Sequence, residues 1–439
     1  MFRLLVFFGM LLSAHAGAQT YTLQQCIDTA LVNNIPVQQT ALDADAAAVN
    51  WRQSKTDLLP FVNAEIFHGL YQGRSIDPVS NGYVNQNLGS ANYQLNSGVV
   101  VFNGGALRNS IRQTRAAYAA SRAGYQQARD NLVLDVIIAY LQVLNMEDQL
   151  AFANAQAAVS RKQVERLEVL NSKGAIPPSD LSDVRGQLMN DQLAIVNAQN
   201  NLETFKLDLL QLMGKPYDKE FKVQRIDVAT LLEPYGATAE QVYGAALREF
   251  SLVKAVDLQR ESLAYGVKAA RGALAPTVSL GGGLNTNYSS VAQNATGKIP
   301  YRSQLSNNIS TSVGIGVSIP IFNRMRARNT IKLADLELRR SELEADVTRQ
   351  RLRQQVEQAY LLMTNAYNRY LVLQEQVKAY RESFKAAEVR YNAGVGTSID
   401  YLAAKDRLDR ANINFTNAQY DFVLRKRVLD YYSTAGGIK

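Results

Sequence analysis

Cysteine and histidine are almost missing from this chain. Its 439 residues hold one Cys, Cys26, and two His, His15 and His68. Zinc clusters, Cys/His dyads and disulfides within one chain are thereby excluded. His68 stands in an alternating stretch with no serine nucleophile motif beside it, and Cys26 reads as a small apolar residue on a helix. Long apolar runs are missing too. Beyond the N-terminus no run of 18 apolar residues occurs, so no transmembrane helix is expected and membrane contact must come from strands. The formal charge of +8, one unit of it from Arg3, is spread along the chain rather than gathered, which argues against a nucleic-acid partner. With no nucleophile, metal or cofactor constellation, the expectation is a protein that is not an enzyme and carries no cofactor.

What is present begins with a secretory pattern. Arg3 is the charged start, residues 4–12 an apolar core, and Ala14-His15-Ala16 or Ala16-Gly17-Ala18 a small-residue cleavage site, so 1–18 is expected to be a signal peptide. Gln24-Gln25 precede Cys26 where a lipid-attachment site would need small or apolar residues.

Residues 326–392 then pass without one Gly or Pro. As one helix they would reach about 100 Å at 1.5 Å per residue, too long for an ordinary globular domain. Apolar positions step by three and four through Val356, Tyr360, Met363, Tyr367, Tyr370, Val377, Tyr380, Phe384 and Tyr391, with Gln374 as a polar interruption. Repetition supplies a neighbour of equal length. Residues 103–213 lie over 323–433 without a gap: Arg108-Asn109 meets Arg328-Asn329, Ala139-Tyr140 meets Ala359-Tyr360, Gly174 meets Gly394, and Asp180 meets Asp400. Residues 22–62 lie over 238–278 in the same way, Pro60 meeting Pro276. The chain is therefore one unit written twice, with its length change confined between Val62 and Phe102.

Each copy opens with a capping box, Thr22 with Gln25 and Thr238 with Gln241, and its first helices stop before Pro60 or Pro276. Alternation follows. Strands are expected at 61–72 and 92–102 in the first copy, and at 276–288 and 310–322 in the second. One face carries Val62, Ile66, Leu95, Val99, Leu280, Leu284, Val313 and Ile315, and the other is small, polar and Gly-rich. Ten to twelve residues is about what a tilted strand needs to cross a bilayer, with lipid outside and water inside. A soluble sheet packed on a core would alternate as well, but no second sheet is available to cover it. The polar segments 73–91 and 289–307 join the strands of each pair as long external loops, Asn294 in the second. Long helices are expected at 105–172 and 326–392, tight tip turns at 173–178 and 393–397, and returning helices after them.

Four strands cannot close a barrel, and open edges in lipid leave backbone groups unpaired, so the chain must oligomerise. Two, three or four copies give about 8, 12 or 16 strands; an 8-stranded barrel would be filled by its own side chains.

At the joints the chain resembles the TolC family of outer-membrane efflux proteins. The signs are Leu59-Pro60-Phe61 and Ala275-Pro276-Thr277 at helix-to-strand joints, Val101-Phe102-Asn103-Gly104-Gly105 and Ile319-Pro320-Ile321-Phe322-Asn323 at strand-to-helix joints, and Arg390-Tyr391-Asn392-Ala393-Gly394 before Asp400. The resemblance spans the mature chain. It implies a mainly α protein with transmembrane β: a homotrimer with a 12-stranded barrel in outer-membrane lipid and a coiled-coil helical tunnel in the periplasm. The domains would be repeat 1 at 19–214, an equatorial segment at 215–237, repeat 2 at 238–433 and a tail at 434–439. It further implies a passive exit duct for efflux or type I secretion, with a periplasmic adaptor protein docked on the tips and an inner-membrane transporter behind it. By that match the gate residues are Asp400 and Tyr391, joined in the first copy by Asp180 and Asp183, and the adaptor-docking turns hold Lys173, Gly174, Gly394 and Gly396. Ala403 and Gly396 depart from the family pattern, in which a second Asp and an Arg can occur. Asp180, Asp183 and Asp400 also stand in the first turn of a helix, where a carboxylate caps free N–H groups. A periplasmic coiled-coil scaffold or adhesion protein is the alternative from a different functional class.

Overall fold

The computed structural model describes residues 20–77, 81–85 and 87–434; the expected signal peptide, and the tail past Thr434, lie outside the described residues. The first copy runs β1 (Thr20–Tyr21), α1 (Leu23–Asn33), α2 (Ile35–Thr56), β2 (Phe61–Tyr71), β3 (Arg74–Ile76), β4 (Tyr83–Asn85), β5 (Leu88–Asn103), α3 (Ala106–Ser172), α4 (Pro178–Leu212) and β6 (Lys222–Val223). The second runs α5 (Ala239–Glu249), α6 (Ser251–Arg271), β7 (Thr277–Ser289), β8 (Gln293–Asn294), β9 (Gly297–Lys298), α7 (Tyr301–Asn307), β10 (Ser310–Ser318), α8 (Arg326–Asn392) and α9 (Ser398–Ser433). No helix among the described residues is long and apolar enough to cross a membrane.

The chain divides into two compact units, each drawing on both copies. The first unit is helical, built from residues 20–41, 124–253 and 349–434. Both capping boxes form in it. Thr22 Oγ1 accepts from Gln25 N at 3.1 Å while Gln25 Oε1 accepts from Thr22 N at 2.9 Å, and Thr238 and Gln241 repeat the pair. The core is duplicated with the sequence. Ala30, Val136, Val143 and Leu209 are buried in one cluster, and their counterparts Ala246, Val356, Met363 and Leu429 in another. Along α8 the buried seam steps by seven through Val356, Met363, Tyr370 and Val377, the spacing that keeps one stripe of a helix on its neighbour. Cys26 is fully buried, and burial pushes its thiol up to about 12, well away from nucleophilic reactivity. The fully buried Tyr140 donates its hydroxyl to Gln224 O at 2.6 Å, fixing the chain next to the β1–β6 pair.

The second unit comprises residues 42–77, 81–85, 87–123 and 254–348 and carries one four-stranded antiparallel sheet in the order β10-β7-β5-β2. Phe61 pairs Gly98 at one end of β2 and Tyr71 pairs Leu88 at the other; Leu95 meets Leu284 in the central pair. Strand ends depart from the alternation pattern by more than one residue in two places. β5 starts at Leu88 rather than 92, because Gly89, Ser90 and Ala91 still find partners on β2. β10 stops at Ser318 rather than 322, because Pro320 has no N–H to give a ladder. One face of the sheet is apolar and open to its surroundings: Val62, Ile66, Leu70, Val313, Ile315 and Val317 are all exposed. The opposite face sets Asn63 beside Asn96 and Glu65 beside Gln94, and Asn285 donates to Asn92 at 2.9 Å.

If Tyr140 ties that segment to the helical core, Tyr140→Phe takes the donor from the Gln224 carbonyl and should lower stability by about 0.5–1.5 kcal/mol. Denaturant unfolding followed by helical circular dichroism measures it; an unchanged midpoint would show that the bond contributes nothing.

Candidate functional site

The two tip turns belong to the helical unit and are built alike. At the end of α3, Gly174 N donates to Asn171 O and Ala175 N to Leu170 O, both at 2.9 Å. At the end of α8, Gly394 N donates to Tyr391 O and Val395 N to Arg390 O, both at 3.1 Å. This paired arrangement satisfies the last carbonyls of a helix and requires a left-handed residue at its bend. Gly174 (φ 66°) and Gly394 (φ 76°) supply it. Lys173 is exposed at the first turn. At Gly396 a Cβ would stand 3.1 Å from Tyr391 N, so the chain passes close over the end of α8.

The returning helices start differently. Pro177 and Pro178 open α4 with no side-chain cap, whereas Thr397 Oγ1 accepts from Asp400 N at 3.1 Å and lies 2.8 Å from Asp400 Oδ2. Asp400 is exposed and engaged with its own cap. Asp180 and Asp183 converge instead on the second copy: the buried Ser398 hydroxyl lies 3.4 Å from Asp180 Oδ1 and 3.3 Å from Asp183 Oδ2. The start of α9 thus meets the first two turns of α4 through Ser398; Asp183 stands in the second turn of α4 rather than the first, because that helix starts at Pro178, and Asp400 is bonded to neither first-copy carboxylate.

Tyr391 stacks on Tyr401 with ring centroids 5.0 Å apart, and Tyr401 in turn touches Phe384. Burial first, then the charges of Asp180 and Asp183, push the Tyr391 hydroxyl above its ordinary value, with Arg166 opposing. Arg166 donates to Asn392 O at 3.2 Å and also to the Asn392 side-chain carbonyl. A cavity of about 390 Å³ opens among Gln163, Arg166, Asp180, Tyr391 and Gly396. Four of the residues singled out from sequence therefore share one small region (Asp180, Tyr391, Gly394 and Gly396), while Asp400 is exposed and does not line it. Asn294 lies in β8, in the other unit.

Sequence reasoning passed over a buried ionic cluster. Lys405 on α9 is 1% exposed, with Nζ 3.1 Å from Asp191 Oδ2 on α4 and 2.6 Å from Asp409 Oδ2 on its own helix. Ser160 on α3 donates to Asp191 Oδ2 at 2.5 Å, and Gln187 to Asp191 Oδ1 at 2.8 Å. Three helices are held by one cation and two carboxylates. Burial pushes the Asp409 carboxyl above the usual carboxylate range, against the pull of Lys405. The spacing of Lys405 and Asp409, four apart on one helix, was a visible signal; Asp191 and Ser160 are distant in sequence and gave none. The matching first-copy residue, Arg185, makes only an exposed pair with Glu168.

Comparison with known proteins follows the same outline. The sequence matches the outer membrane efflux protein family over residues 26–215 and 242–430, one stretch in each copy. It is 25% identical to the outer membrane protein TolC of Escherichia coli K12 over 96% of this chain and 84% of that protein. It is 22% identical to the outer membrane efflux protein BepC of Brucella suis over 96% and 87% of the two chains. The fold is similar to the crystal structure of the outer membrane protein VceC of Vibrio cholerae, with a TM-score of 0.79, 17% identity, and 95% and 97% of the two chains covered.

Removing the cation from the cluster should be costly: Lys405→Met leaves the buried Asp191 and the half-buried Asp409 uncompensated, at about 3–5 kcal/mol. The raised Asp409 value carries a pH signature. Between the ordinary carboxylate value and the raised one, the folded chain holds more proton than the unfolded chain, so its contribution to stability grows as pH falls through that window. Asp409→Asn should remove this part of the slope in denaturation measured across mildly acidic pH. An unaltered slope would mean that Asp409 titrates as it does in the unfolded chain.

Proposed function

Because the chain belongs to the outer membrane efflux protein family, whose members are channels, we propose that three copies close one 12-stranded barrel in the outer membrane and line a helical periplasmic tunnel. The observation that carries this reading is the sheet. Four strands present an exposed apolar face, and β2 and β10 leave its two edges without partners among the described residues. In hydrocarbon each unpaired backbone group costs several kcal/mol, so edge must meet edge on sister copies. Joining β10 of one copy to β2 of the next would bring twelve strands around a lumen faced by Asn63, Glu65, Gln94, Asn96 and Asn285. An exposed apolar stripe of this kind is a poor surface for a soluble periplasmic scaffold.

The duct works by passage rather than by chemistry, driven by an inner-membrane transporter and met at its tips by a periplasmic adaptor. The turns at Lys173-Gly174 and Gly394 to Gly396 are the docking points in this reading, and the carboxylates beside them form the gate. Two arrangements support the gate: the convergence of Asp180 and Asp183 on Ser398, and Tyr391 close to Asp180. Asp400, exposed at the start of α9, is free to face the passage while it caps its helix.

Replacing Asp400 with Ala should raise single-channel conductance or weaken block by multivalent cations in a planar bilayer. Unchanged values of both would reduce Asp400 to a cap. A short epitope inserted after Asn294 should be tolerated and should be labelled by antibody on intact cells, since the β8–β9 hairpin is an external loop in this reading. Labelling only after the outer membrane is opened would invert the topology.

A further inference from the structure

The loop that follows β7 folds back over the apolar side of the sheet. By strand alternation His68, Tyr93, Thr286 and Tyr288 share that side with Ile66, Leu95 and Leu284. The short helix α7 lies against it. Thr286 Oγ1 donates to Leu305 O at 2.7 Å. The buried Gln304 accepts from Ser289 N at 2.9 Å and donates to Ser289 O at 3.0 Å and Ile299 O at 2.9 Å, pinning α7 to the strand end. The Tyr301 ring lies 4.6 Å from that of Tyr288. Its hydroxyl is hydrogen-bonded to the Tyr93 hydroxyl, which lies 2.7 Å from His68 Nε2.

This is an amphiphilic margin. Ring bodies continue the apolar stripe while their polar tips are tied to one another, the chemistry suited to the boundary between hydrocarbon and headgroups. Next to it in the chain are Lys298 on β9 and Arg302 on α7, both exposed and without an ion-pair partner among the described residues. A soluble loop needs neither the tied tyrosines nor a helix fastened to the apolar face.

We propose that α7 and the β8–β9 hairpin lie at headgroup level in the outer leaflet, where Lys298 and Arg302 bind the phosphates of an anionic glycolipid. The proposal rests on the outer-membrane reading above. Anionic headgroups are complementary to the two free cations, and the site is continuous with the apolar stripe that faces the acyl chains. The lipid would act as a fastening at the wall's outer rim, holding the loop clear of the exit.

The test uses the full chain, extracted from outer membranes in mild detergent and mixed with bis-phosphorylated lipid A or its dephosphorylated form. Retained lipid is counted by native mass spectrometry. The phosphorylated form should be retained preferentially, and Lys298→Gln and Arg302→Gln should each weaken that retention about five-fold. Lys378→Gln, which removes an exposed charge from α8 in the helical unit, should leave it unchanged. Equal retention of the two lipid forms, or full retention by the double variant, would overturn the proposal. The same preparations are tested for conductance in a planar bilayer. Wild-type protein that conducts while ignoring lipid phosphate refutes the headgroup site alone; protein that neither inserts nor conducts refutes the membrane reading and this site with it.

Discussion

A sheet with one face in hydrocarbon cannot leave its edge N–H and C=O groups unpaired. In this chain that constraint falls on β2 and β10, the outer strands of a four-stranded ladder whose apolar side chains are exposed. Neither strand has a partner left within its own sheet. The oligomer proposed above follows from backbone hydrogen bonding before any side chain is considered. The side chains then decide which face turns outward: Val313, Ile315 and Val317 on one side of β10 alternate with Ser312, Gly314, Gly316 and Ser318 on the other. Small residues on the inner side leave room for a passage where larger ones would fill it.

The helical unit meets a different constraint with the same economy of pattern. Helices this long gain stability from a continuous seam rather than from propensity, and the heptad spacing of Val356, Met363, Tyr370 and Val377 supplies one. Doubling the sequence doubles the seam, which is why the buried positions of the two copies correspond. Against this apolar background the Lys405 cluster stands out. A buried cation with two carboxylates adds little net stability compared with apolar packing, but it tolerates no shift of α9 along α4 that would part Lys405 from Asp191.

How much of this was legible in the sequence depends on how local the cause is. Capping boxes, proline stops, the long helices and the strand faces rest on residues within a few positions of one another, and they could be read directly. The tip glycines were legible because a helix end that bends back calls for a left-handed residue. Three features were not. The segment 289–307 reads as polar loop, yet Gln304 gains three buried hydrogen bonds that hold a helix there, and nothing in its neighbours announces them. Ser398 meets Asp180 and Asp183 only because the two copies fold side by side. The burial of Lys405 depends on α3 and α4, far away in sequence.

Duplication explains where the copies agree, and they differ at particular positions and connections. At matching positions Arg185 pairs in solvent with Glu168, whereas Lys405 is buried against Asp191. The strand-joining segments differ more. In the first copy Ile76, beyond β2, shares a cavity of about 420 Å³ with Phe67, Tyr71, Asn92 and Asn287, side chains of the polar face. In the second, α7 is fastened to the apolar face through Thr286 and Tyr288. One connection turns toward the polar face and the other toward the apolar face, from strand pairs that are otherwise alike. A duplicated wall needs its copies to stay alike along most of the ladder and the seam, where each residue is held by a partner on the neighbouring element. It is free to differ where the chain leaves the ladder, and there the connections of the two copies pack on opposite faces of the sheet.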